Sequence, residues 1–121
     1  MKKILLISIL LLSFCEMTKA QSDYYMQKAQ SYMSEAEYYT KKAEGYEREA
    51  EYYNKQAQNY LRQAESYSRK KDYDKAKTYT RWANEATDKA KVRERWAKDA
   101  RDKAEQRMRW AQEALRKAER R

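Results

Sequence analysis

The chain has 121 residues, 39% of them charged, with one Gly, no Pro, no His and a formal net charge of +9. This length allows at most one small domain, and the near-absence of Gly and Pro removes the usual punctuation of turns and loops. High charge with recurrent Ala belongs to long helices or coiled coils rather than to a compact globule. The numerous, strictly spaced aromatics oppose a disordered reading.

Residues 1–20 differ from the rest. Lys2 and Lys3 precede an apolar run from Ile4 to Phe14, and Thr18-Lys19-Ala20 offers a small-residue cleavage site. This is the pattern of a bacterial-type secretory signal, cleaved after Ala20. The apolar run is too short to span a membrane comfortably. Leu12-Ser13-Phe14-Cys15 resembles a lipoprotein cleavage box, although Phe is a poor residue before the modified Cys; a lipid anchor at Cys15 is the minor alternative. Cleavage removes the only Cys, leaving residues 21–121 with 25 Lys/Arg against 18 Asp/Glu, a net charge of +7. The expected product is periplasmic or secreted, without disulfide or thiol chemistry.

The first arm, residues 21–70, is phased by two copies of one 14-residue unit, AEYYTKKAEGYERE at 36–49 and AEYYNKQAQNYLRQ at 50–63. Ala29, Ala36, Ala43, Ala50, Ala57 and Ala64 recur every seven residues, as do Tyr25, Tyr32, Tyr39, Tyr46, Tyr53, Tyr60 and Tyr67. With Ala at a and Tyr at d, this is a heptad seam. A further series, Tyr24, Tyr38 and Tyr52, alternates with Ser31, Gly45 and Asn59 at c positions. Ser22-Asp23 reads as a helix cap. The tyrosines read as packing residues rather than as a ligand-stacking strip.

The phase fails after Tyr67. Ser68-Arg69-Lys70-Lys71 precede Asp72-Tyr73-Asp74, cations before acids, as where one helix ends and another starts. The expected turn is 71–73, with Asp72 as N-cap. The stretch carrying Ala64, Asp72-Tyr73, Ala76 and Ala83 resembles the turn inside a tetratricopeptide repeat. That likeness covers about twenty residues and implies only helix–turn–helix geometry, because the 34-residue recurrence of the family is absent.

The second arm, residues 74–121, regains Ala every seven residues from Ala76 to Ala118, with Trp82, Trp96 and Trp110 fourteen apart. If residues whose numbers sum to 142 face one another, Tyr32, Tyr46 and Tyr60 fall opposite Trp110, Trp96 and Trp82. The same register sets Lys89, Lys103 and Lys117 against Tyr53, Tyr39 and Tyr25, and lays Tyr24, Tyr38 and Tyr52 on Ala118, Ala104 and Ala90. The expected fold is all-α, a long antiparallel two-helix coiled-coil hairpin with arms of roughly 70–75 Å at 1.5 Å per residue.

Catalysis needs a nucleophile with a base or a poised acid–base set, and residues 21–121 lack Cys, His and any nucleophile motif. No enzyme activity, metal or cofactor is expected. Arg93, Arg107, Arg120 and Arg121 are the candidate anion-contacting residues of the basic second arm, which carries net +6 from Asp72 onward against +1 for 21–71. Trp residues fourteen apart lie about 21 Å apart on a helix, too far for successive stacked bases, so specific nucleic-acid binding is not expected. The apolar stripe, mostly Ala, is too slight for stable membrane insertion.

The resulting expectation is an exported, non-enzymatic structural or interaction protein of the cell envelope, a scaffold or spacer binding a protein or its own copies. The competing reading is a chaperone-like hairpin for unfolded or anionic clients, similar in general design to the basic, tentacled periplasmic chaperones. A weak polyanion or membrane-surface binder acting through the Arg-rich arm is the third.

Overall fold

In a computed structural model, the backbone is described for residues 2–120 and side chains for residues 19–120. The chain is all-α. Helix α1 runs Lys2–Arg69 and helix α2 Tyr73–Glu119, and no strand occurs among the described residues. The expected cleavage point after Ala20 falls inside α1, and the leader's side chains through residue 18 lie outside the described set.

Residues 70–72 make the turn, and its hydrogen bonds explain why it holds. Lys71 takes the left-handed conformation at φ 62°. Its N–H donates to the Ser68 carbonyl at 3.0 Å, and the Asp72 N–H donates to the Tyr67 carbonyl at 2.9 Å. These two bonds form a Schellman motif that satisfies the last carbonyls of α1. Gly is the usual residue at such a position, so Lys71 is held there at some conformational expense. Asp72 then caps α2: its Oδ1 accepts from the Lys75 N–H at 3.3 Å, and its carbonyl begins the helix ladder with Ala76.

The helices form two compact units. The turn unit, Tyr39–Asp102, pairs α1 and α2 antiparallel as a helical hairpin. The terminal unit contains Met1–Tyr38 and Lys103–Arg121, and its two segments are also antiparallel. In both, the buried side chains are alanines, including Ala43, Ala50, Ala90, Ala97 and Ala100 in the turn unit, and Ala29, Ala36, Ala104, Ala111, Ala114 and Ala118 in the terminal unit. No polar or charged side chain and no large side chain is fully buried among the described residues. Alanine buries little area per residue. The remaining apolar contact therefore comes from half-buried rings.

In the uncleaved chain α1 runs through Ser22, whose hydroxyl donates to the Ala118 carbonyl at 2.9 Å, satisfying an end group of α2. One local expectation changes. Tyr24, Tyr38 and Tyr52 are not absorbed on opposing alanines. They stand 53%, 59% and 58% exposed, because a c position lies about 200° around the helix from a and so faces away from the seam.

Candidate interaction surface

The ring contacts between the helices occur at seven-residue steps with alternating chemistry. In the terminal unit the Tyr32 and Trp110 ring centroids are 5.5 Å apart, edge to face at 64°. In the turn unit Tyr46 and Trp96 repeat those values, and Tyr60 meets Trp82 at 5.8 Å and 63°. Seven residues from an aromatic rung lie cationic ones: Lys117 sits over Tyr25 at 5.6 Å, Lys89 over Tyr53 at 5.7 Å and Lys75 over Tyr67 at 5.3 Å. An ammonium within about 6 Å of a ring centroid is attracted by the ring quadrupole.

Trp110 and Trp96 each carry a guanidinium. Arg107 lies 4.5 Å from the Trp110 centroid and Arg93 lies 4.4 Å from Trp96, both three residues upstream of their Trp. The same guanidinium groups reach across to acids three residues past the paired Tyr: Arg107 to Glu35 and Arg93 to Glu49, each at 2.8 Å. Tyr, Trp, Arg and Glu thus form one four-residue rung. Beside Trp82 the corresponding positions are Tyr79 and Gln63, so cation and acid are replaced together. There Tyr79 supplies the third contact, 5.1 Å from Trp82, and stacks on Tyr67 at 5.4 Å and 9°.

The opposite edge of the turn unit carries a polar ladder. Arg101 grips Glu47 through two nitrogens, Nη2 donating to Oε2 at 2.8 Å, and Asn54 donates to Glu94 at 3.4 Å. The hydrogen bond from Arg101, with its charge, holds the Glu47 carboxyl below the usual carboxylate range and raises Arg101 in turn. In the terminal unit, the hydrogen bond and partial charge of Tyr24 raise Lys28 above its ordinary value.

Arg93 and Arg107, expected as anion contacts, are therefore held between a Trp face and a carboxylate, with side chains only 24% and 20% exposed. Arg120 is exposed, its N–H bonded to the Arg116 carbonyl. Arg121 lies outside the described residues. The carboxylate partners Glu35 and Glu49 were not singled out from the sequence. Their signal is the joint change at the third rung, where Glu becomes Gln63 as Arg becomes Tyr79.

The surface concavities are shallow. A groove of about 220 Å³ in the terminal unit lies among Tyr25, Lys28, Tyr32, Trp110 and Lys117. A groove of about 230 Å³ in the turn unit is its counterpart, among Gln56, Tyr60, Trp82 and Lys89. A wider depression of about 470 Å³ lies over Gly45. Among the described residues no group of His, Cys, Asp and Glu is arranged to hold a metal ion, and no helix is long and apolar enough to cross a membrane.

Comparison with protein-family models, curated proteins and solved structures finds no match to this chain.

Proposed function

We propose that the chain is an exported, non-enzymatic coiled-coil protein of the cell envelope, a scaffold or spacer that binds a protein partner through its outer helix surface. The observation that carries the reading is the row of exposed tyrosines on α1. Tyr24, Tyr38 and Tyr52 are spaced by fourteen, stand more than half exposed, and lie away from the alanine seam. Large aromatics at an exposed surface supply contact area at low conformational cost when a partner covers them. Heptad alanines at a, tyrosines at d and rungs crossing between the helices support the coiled-coil reading. The basic start, apolar run and Ala20 site support export.

The polyanion reading ranks lower, because Arg93 and Arg107 already face Glu49 and Glu35. Releasing either guanidinium to a phosphate would give up an ion pair and disturb its stacking on Trp.

The test places a photo-crosslinking residue at position 24, 38 or 52 in cells expressing the full chain, with exposed Lys91 as control site. A phosphatase fused after Arg121, active only outside the cytoplasm, reports export. The proposal expects phosphatase activity and discrete protein adducts from the tyrosine positions, with none from position 91. An inactive phosphatase overturns export. A smear of adducts from every site would favour the client-binding chaperone, and no adducts would overturn the interaction surface.

A further inference from the structure

Gly45 is the only glycine of the chain and sits inside α1. Glycine in a helix interior costs roughly 0.5–1 kcal/mol relative to alanine. The usual reasons for accepting that cost are missing here. Gly45 does not have a positive φ, and a Cβ placed on it would meet nothing within 4 Å. The space above it is instead open to the outside, as the depression of about 470 Å³ rimmed by Arg48, Glu49, Tyr52, Tyr53 and Arg93. Nothing within the turn unit requires a glycine at this place. A body arriving from outside would.

We infer that a second copy of this chain covers this groove, α1 against α1 and antiparallel, with the Tyr52 ring of each copy seated over Gly45 of the other. The inference rests on the reading of the α1 outer face as a binding surface and names its occupant. A two-fold interface must be self-complementary, residue i meeting j while j meets i. If the axis passes between Arg48 and Glu49, residues whose numbers sum to 97 face each other. Gly45 then meets the partner's Tyr52, and Arg48 meets the partner's Glu49, which keeps its own Arg93 contact at 2.8 Å through Oε2 and offers Oε1 to the second cation. A large exposed ring falls on the smallest residue, and the central cation falls on an acid. Both matches follow from one axis.

The knob is already set. The Tyr52 ring packs edge-on against Tyr53 at 5.4 Å, and its hydroxyl accepts a hydrogen bond from Gln56 at 3.0 Å. It is 58% exposed and braced by these two contacts, which lowers the freedom lost on docking. Absence of a Cβ at Gly45 lets the helices approach toward the short end of the roughly 8–10 Å range. Charge selects the arm as well. Residues 21–71 carry net +1 and those from Asp72 onward carry +6, so pairing through α1 brings the nearly neutral arms together and keeps the basic arms apart.

The test is sedimentation equilibrium on protein purified from cells expressing the full chain, comparing wild type with Gly45→Gln, Tyr52→Gln, Arg48→Glu and Glu49→Arg. Gln is a good helix former, so Gly45→Gln keeps or raises helicity while filling the groove. The wild type is expected to show a monomer–dimer equilibrium, and Gly45→Gln and Tyr52→Gln each to weaken it about tenfold or more. Arg48→Glu and Glu49→Arg each weaken self-pairing, while their equimolar mixture pairs again because opposite charges then meet at both central contacts. A wild type that stays monomeric at every accessible concentration overturns the inference, as does a Gly45→Gln protein that dimerises undiminished. If the tyrosine positions still cross-link to another protein while the mass stays monomeric, the second copy is wrong and the interaction surface stands. If neither adducts nor dimers form, both fall.

Discussion

The rung at Tyr46–Trp96 and the rung at Tyr60–Trp82 use the same ring pair at nearly the same angle, 64° and 63°, yet are completed differently. The first is capped by Arg93 and closed by Glu49. The second is capped by Tyr79, which also stacks on Tyr67 beside the turn. The Tyr–Trp pair therefore fixes the inter-helix geometry, and the cap adapts to its surroundings. Away from the turn, a charged cap ties two exposed helix edges together. Next to the turn, an aromatic cap joins the rung to the end of α1.

Truncating the shared element breaks the comparison most severely. Trp96→Ala is expected to destabilise the protein by about 2 kcal/mol, less than a fully buried Trp because 45% of it is exposed. Trp82→Ala should lose more, by roughly 0.5–1 kcal/mol, since it breaks two ring contacts within the hairpin end. Urea unfolding followed by far-UV circular dichroism measures both; equal losses would mean that Tyr79 contributes no more as a cap than Arg93 does.

The turn sharpens the contrast in the opposite direction. Lys71→Gly relieves the left-handed backbone at φ 62° and should stabilise the chain by roughly 0.5–1 kcal/mol. Amide exchange should slow first around Tyr67 and Tyr79. A destabilised variant would mean that the Schellman geometry is not what holds this turn.

Salt distinguishes the caps. A Glu49→Gln/Arg93→Gln double-mutant cycle should give a coupling of about 0.5 kcal/mol, because the pair is partly exposed, and the coupling should shrink as ionic strength rises. The equivalent Gln63/Tyr79 cycle should not respond to salt. The smallest effect is in acid. Glu47 is held below its ordinary value by Arg101, so its contribution is complete above the unfolded carboxylate range of about 4.3 and fades as pH falls through the lower folded value. The stability difference between wild type and Glu47→Gln should therefore disappear in strong acid. A difference that persists there would assign it to packing instead.

The two-helix organisation was legible because alanine every seven residues, aromatics between, and a phase break at 68–74 leave few other solutions. The exposed row was harder to read. Matching large residues to small ones across the seam placed Tyr52 on Ala90, but c positions point away from a, and that rotation outweighs size complementarity. The left-handed Lys71 had no sequence signal, since Gly is the residue that normally announces that conformation. Arg93 and Arg107 read as anion contacts, with no acid assigned to either, because charge was weighed arm by arm. Their partners, Glu35 and Glu49, lie on the other arm.

The central claim is that α1 and α2 of the same chain pair through these rungs. The most direct measurement is nuclear Overhauser contact between the rings of Tyr46 and Trp96 in isotopically labelled chain diluted into an excess of unlabelled chain. The account predicts that the cross-peaks persist undiminished on dilution, as expected for rings of one chain with centroids 5.5 Å apart. Loss of the cross-peaks in proportion to the unlabelled fraction would show that the rungs join different chains, and would contradict it.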